Sequence, residues 1–209
     1  MSKTLKNILL YIEVILLFIG TPLAYLYDFL PFHKIIPLVI GAIYAILLLL
    51  LDKKFNKNEL GMNGFKLFRP MLLRSIGVLI VLTIATYLII PEYLFYLPKK
   101  MTWLWVIIML MYPVWSVIPQ ELIYRTFFFY RYKTLFPNSV SMIMASSITF
   151  SFMHIIFENW VAIIFSLIAG VILSIVYYRH KSLLGISIEH AIYGNLVFTT
   201  GLGTFFYIN

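Results

Sequence analysis

Long apolar runs separated by short polar or basic stretches make up almost the whole chain. Runs at about 7–27, 34–51, 71–91, 101–131, 138–157, 159–179 and 182–207 each reach or approach the roughly 20 apolar residues with which a helix crosses a bilayer. The pattern predicts an all-α fold, a polytopic transmembrane helical bundle of seven helices. The fourth run is long enough to break at Pro119, which would make eight. Tyr96, Trp103 and Trp160 stand near run ends, as an aromatic belt at the headgroups requires. No internal repeat, low-complexity tract or Gly/Ser linker interrupts the runs, so 1–209 reads as one transmembrane domain.

Composition agrees. Of 209 residues 62% are hydrophobic and 11% charged, and the mean hydropathy of +0.96 lies outside the range of soluble domains. About eight crossings exhaust the length, leaving no room for a separate soluble domain. With no cysteine, disulfides, iron–sulfur ligation and thiol catalysis are excluded.

The formal charge is +8, and it falls in clusters between the runs rather than on one face. That arrangement fits membrane topology and not nucleic-acid binding. Lys3 and Lys6, then Asp52 to Arg74 with six basic residues, then Arg131 and Lys133, then Arg179 and Lys181 lie on alternate loops. Placed together on the cytoplasmic side, they predict an integral membrane protein with its N-terminus cytoplasmic. Asp28, His33, Lys34, Glu92, Lys99, Lys100 and Glu158 fall on the other side. Phe65 and Phe68, within Gly61 to Pro70, are placed to lie in the interface as an amphipathic turn. The first run continues past Pro22 to Leu26 with no small-x-small cleavage site, so it reads as a retained helix and not a signal peptide.

A charged side chain at the bilayer centre costs at least about 2.5–3.5 kcal/mol, so such residues usually face a cavity and serve a function. Glu13, Glu121, Arg125, His154, Glu189, His190 and Asn195 fall within the runs. Glu13 is about two turns into its run with no chemical partner nearby in sequence, and reads as structural. Glu121 and Arg125 are four apart, share a helix face and can pair. Asn195 follows His190 by five residues, which puts it off the histidine's face of a regular helix, although Gly194 eases distortion or close approach. Counted from Arg131 and Lys181, Glu121 and His190 lie roughly 14–15 Å from the same membrane face. His154 comes out about 10 Å deeper, so its helix must start late, tilt or be offset to join them.

A carboxylate and two imidazoles meeting in a dry cavity suit water activation: one group takes a proton from water and others donate hydrogen bonds to an oxyanion. Hydrolysis of an acyl group, most naturally a peptide bond, follows. The same residues would also serve as a metal site through Glu121, His154 and His190, or as a proton relay in a transporter, although no paired broken helices or repeats support the latter.

The segments Gln120-Glu121-Leu-Ile-Tyr-Arg125, Phe150-Ser-Phe-Met-His154 and His190-Ala-Ile-Tyr-Gly-Asn195 resemble the CPBP family, the CAAX prenyl endopeptidase and bacteriocin-processing Abi group of intramembrane proteases. That family carries Glu-Glu-x-x-x-Arg, Phe-x-x-x-His and His-x-x-x-Asn in this order on separate membrane helices. The resemblance spans about 113–207. It implies a helical bundle with a conical cavity and an intramembrane endopeptidase acting on peptide or membrane-protein substrates in the lipid bilayer. By resemblance Glu121 is the base, His154, His190 and Asn195 assist, and Arg125 orients the carboxylate. The motif works without a cofactor, while a divalent metal remains an open alternative. Two departures stand out. Gln120 occupies the place of the first glutamate, the residue credited with activating water, so that either Glu121 takes this role or the chain is an inactive scaffold or binding protein of the same fold. Asn195 stands one residue late, leaving Gly194 at the regular position.

Overall fold

The structure is a computed structural model that describes residues 2–62 and 68–206. The amphipathic turn expected around Phe65 and Phe68 lies largely outside them. Among the described residues there are eight helices and no strand: α1 (Lys3–Leu26), α2 (Ile35–Leu51), α3 (Phe68–Ile89), the short α4 (Tyr96–Lys100), α5 (Thr102–Arg131), α6 (Ser139–Met153), α7 (Trp160–His180) and α8 (Leu183–Thr200). Every apolar run is a helix, and α4 is an extra turn in the connection before α5.

Five stretches are long and apolar enough to cross a membrane: α1, Arg69–Ile89 of α3, α5, Ser139–Phe157 and α7. α2 is a shorter apolar helix, and α8 is not among the five because it carries Glu189, His190 and Asn195. The residues that matter chemically therefore weaken the hydropathy signal of the helix that holds them.

Side-chain oxygens of Ser2, Asn138, Asn159 and Ser182 accept backbone N–H groups at the starts of α1, α6, α7 and α8, satisfying donors that lipid cannot. α8 closes on Gly201, whose φ of +119° and contact with the Tyr93 carbonyl leave no room for a Cβ.

Pro119 does not break α5. The helix runs unbroken from Thr102 to Arg131, widening into π-helical turns at Pro113–Val117 and Leu122–Phe127. A proline removes one N–H and crowds the preceding turn, and a wider turn relieves both effects without ending the helix. These turns lie directly before and after Gln120 and Glu121.

Aromatic rings fill the centre. Phe18 of α1 meets Tyr124 and Phe128 of α5 edge-on at 5.3 and 5.2 Å, and Phe129 of α5 meets Tyr177 of α7 at 5.2 Å. Polar ties then join distant helices. Arg131 donates two hydrogen bonds to Glu13, at 3.1 and 2.7 Å, with Tyr132 and Tyr44 adding their hydroxyls. Glu13 thus joins α1 to the end of α5. Arg74 and Arg131 sat among the loop charges in the sequence pattern, yet both are helical and ion-paired, Arg74 with Glu189. The α2–α3 connection folds back on the bundle: Asp52 accepts from Tyr130, and Glu59 accepts from Tyr177. The Lys54 amide, with help from the Tyr130 hydroxyl, holds the Asp52 carboxyl below its usual range.

Candidate active site

α5, α6 and α8 bring the three motif segments together beside a cavity of about 740 Å3. Its wall is mostly apolar and is contributed by α2, α3, α5, α6, α7 and α8; Tyr112, Ser116, Gln120, His154 and His190 supply polar groups.

Glu121 is fully buried behind this wall. Its Oε1 is 2.7 Å from His190 Nδ1, and its Oε2 is 3.4 Å from Arg125 Nε. With the carboxylate ionised, Nδ1 carries the ring hydrogen and donates it to Glu121, so the other nitrogen is an acceptor. That nitrogen, Nε2, lies 3.2 Å from the Tyr112 hydroxyl, which donates to it. A line of three groups thus runs from the buried acid through the imidazole to a phenol on the cavity wall.

Arg125 is also fully buried, and its guanidinium lies 4.4 Å over the Phe150 ring. None of its nitrogens has a hydrogen-bond partner among the described residues. Its attraction to Glu121 and to the ring face offsets the cost of desolvation. Phe150 therefore serves as a central plate, meeting Arg125 on its face, His190 edge-on at 5.6 Å and His154 at 4.9 Å.

His154 reaches the cavity although α6 begins where the sequence places it, at the Asn138 cap. It is Phe150 that lies level with His190. His154 lies one turn further on, where α6 tightens into the 3-10 turn His154–Phe157, and its Nδ1 is 2.8 Å from the Phe150 carbonyl. The remaining ring nitrogen has no partner among the described residues.

Asn195 takes a different position. It does not line the cavity, and its Nδ2 donates to the Met109 carbonyl at 3.4 Å. Pro113, four residues on, has no N–H to give that carbonyl, so the amide serves a group the proline leaves unpaired. Gly194 lines the cavity instead, against the Tyr112 ring, and a Cβ there would overlap that ring. Gln120 also lines the cavity; its Nε2 donates to Ser116 Oγ at 2.8 Å while its Oε1 has no partner among the described residues.

Two further groups are not evident from sequence. Arg74 grips Glu189 with bonds of 2.6 and 2.9 Å, and the Tyr193 hydroxyl donates to the same carboxylate at 2.5 Å. Arg74 and Tyr193 line the same cavity as His190. The charge of Glu189 within an apolar run is the one signal of this tie; its partner is 115 residues away. Tyr112 gives no signal at all, being one of 15 tyrosines.

Among the described residues no group of three or more His, Cys, Asp or Glu side chains is placed to hold a metal ion. Glu121 and His190 engage each other, and His154 turns Nδ1 to its own helix.

Residues 101–196 match the family described as Rce1-like, type II CAAX prenyl endopeptidase. The match runs from the start of α5 into α8, covers all three motif segments, and agrees with the CPBP resemblance of the sequence. The apolar helices support an integral membrane protein, and the match, over less than half of the chain, makes this segment similar to that endopeptidase family. No curated protein and no solved structure matches the chain.

Proposed function

We propose that this chain is an intramembrane endopeptidase that hydrolyses a peptide bond at or within the membrane, with Glu121 and His190 acting together to activate water. The observation that carries the reading is the 2.7 Å contact between Glu121 Oε1 and His190 Nδ1, joining α5 and α8 at the wall of the cavity. His190 Nε2 takes the proton from water, and Glu121, with no free path to the cavity, orients the ring and stabilises the imidazolium that forms. Arg125, braced on Phe150, positions the carboxylate. The free nitrogen of His154 is available to hydrogen-bond substrate across the cavity. Asn195 braces α5 against α8.

No step of this mechanism is routed through a metal. The alternate basic loops favour a cytoplasmic N-terminus, and 113–207 forms the catalytic core of one transmembrane domain.

A second reading, an inactive scaffold of the same fold, is favoured by Gln120, which sets a neutral amide on the cavity wall beside Ser116. The two readings separate in lipid nanodiscs holding the full chain. Two fluorogenic peptides serve as probes, one with a farnesyl-cysteine three residues from its C-terminus, the other unmodified and apolar. The parent is expected to cleave at least one of them, and Glu121→Gln and His190→Ala to cleave neither. A silent parent that gains activity on Gln120→Glu establishes the scaffold reading, and a Glu121→Gln variant as fast as the parent removes Glu121 from the mechanism.

A further inference from the structure

We propose that Tyr112 is a catalytic residue of this reaction, its phenol donating the hydrogen bond that receives the oxyanion of the tetrahedral intermediate. The inference rests on the Glu121–His190 reading and adds a group that none of the three motif segments contains.

Three observations carry it. The Tyr112 hydroxyl is the only group among the described residues within hydrogen-bonding distance of His190 Nε2, at 3.2 Å. The residue lines the cavity, so this hydroxyl stands where water and substrate must meet the base. Its seat is also specific. The ring lies against Gly194, whose missing Cβ is what admits it, and meets Phe198 edge-on at 5.4 Å. The residue stands at the entry to the first π-helical turn of α5. The other candidate donors are engaged elsewhere: Asn195 with the Met109 carbonyl outside the cavity, Gln120 Nε2 with Ser116, and Arg74 and Tyr193 with Glu189.

When substrate enters, a water molecule takes the position on Nε2 and the phenol turns its O–H to the scissile carbonyl. The water oxygen bonds to the carbonyl carbon and its proton passes to Nε2. The carbonyl π electrons move to oxygen, where the phenol meets the developing charge. A hydroxyl this close to the base lets one tetrahedral carbon present the attacking oxygen to the imidazole and the oxyanion to the phenol. Collapse restores the carbonyl, breaks the C–N bond and returns the proton from the imidazolium to the departing amine. Tyr112 keeps its proton throughout and Glu121 stays ionised, so the step needs no further reactant.

The test uses the full chain in nanodiscs with whichever of the two fluorogenic peptides the parent cleaves. Tyr112→Phe keeps the ring against Gly194 and removes only the hydroxyl; kcat is expected to fall about a hundredfold while KM stays within about twofold. Should that variant fail to fold, 3-fluorotyrosine at position 112 keeps the ring and strengthens the donor, and a kcat shift of about threefold or more at unchanged KM is then expected. A role confined to packing would move neither kcat in this way. The inference is overturned if Tyr112→Phe, or the fluorinated chain, turns over at the parent rate while Glu121→Gln is inactive. That outcome leaves the endopeptidase reading standing. A parent that cleaves neither probe, with or without Gln120→Glu, removes both together.

Discussion

Glu121 and His190 stand 69 residues apart in the chain and meet at 2.7 Å inside the bundle. Arg125, four residues beyond Glu121, lies near the other carboxylate oxygen and is ion-paired with no other anion among the described residues. The pair and the arginine therefore form one electrostatic unit, and a change at any member is felt by the others.

Glu121→Gln leaves a buried guanidinium uncompensated, and an expected loss of about 3–5 kcal/mol follows. Glu121→Gln combined with Arg125→Met removes both charges and is expected to recover most of that stability, with peptide cleavage still absent. Unfolding midpoints in mild detergent, read beside activity, check this. Cleavage returning with stability in the double variant would show that the charge of Glu121 is dispensable.

The two other ion pairs differ in burial, and so in weight. The arginines are exposed alike, Arg74 at 32% and Arg131 at 37%, but Glu189 is fully buried whereas Glu13 is 16% exposed. Arg74→Ala is accordingly expected to cost about 3–5 kcal/mol, and Arg131→Ala about 1 kcal/mol. Equal losses in thermal denaturation would contradict this account of α3 against α8.

Asn195→Ala removes a hydrogen bond to the Met109 carbonyl and nothing at the cavity wall. Stability is expected to fall by about 1 kcal/mol, with kcat staying within about tenfold of the parent. A fall of a hundredfold or more at unchanged stability would return Asn195 to the oxyanion site and displace Tyr112 from it.

Because no group of three or more His, Cys, Asp or Glu side chains among the described residues is placed to hold a metal ion, cleavage is expected to survive prolonged dialysis against a strong chelator. Loss of activity that zinc alone restores would mean that these side chains rearrange around an ion.

Much of this architecture is legible from local chemistry. Lipid offers no partner for backbone groups, so any apolar run of sufficient length must be a helix, and all seven runs are. Pro119 misleads in one respect, since a proline signals a break only where the helix lacks room to widen, and α5 widens on both sides of it. His154 shows what residue counting along separate helices leaves open, namely their relative offset: here Phe150 packs against His190 and the histidine lies one turn further on.

By itself the sequence determined the helical membrane fold, because hydropathy and helix geometry act over neighbouring residues. It also determined which costly polar groups the bilayer holds, and the family signature they spell. Only the tertiary structure decided which of those groups meet. Glu121 joins His190, Arg74 takes Glu189, Asn195 turns to the carbonyl that Pro113 leaves open, and Tyr112 enters the space that Gly194 leaves free. Each of these contacts depends on the rotation and offset of two packed helices, a relation between distant segments that no local pattern encodes.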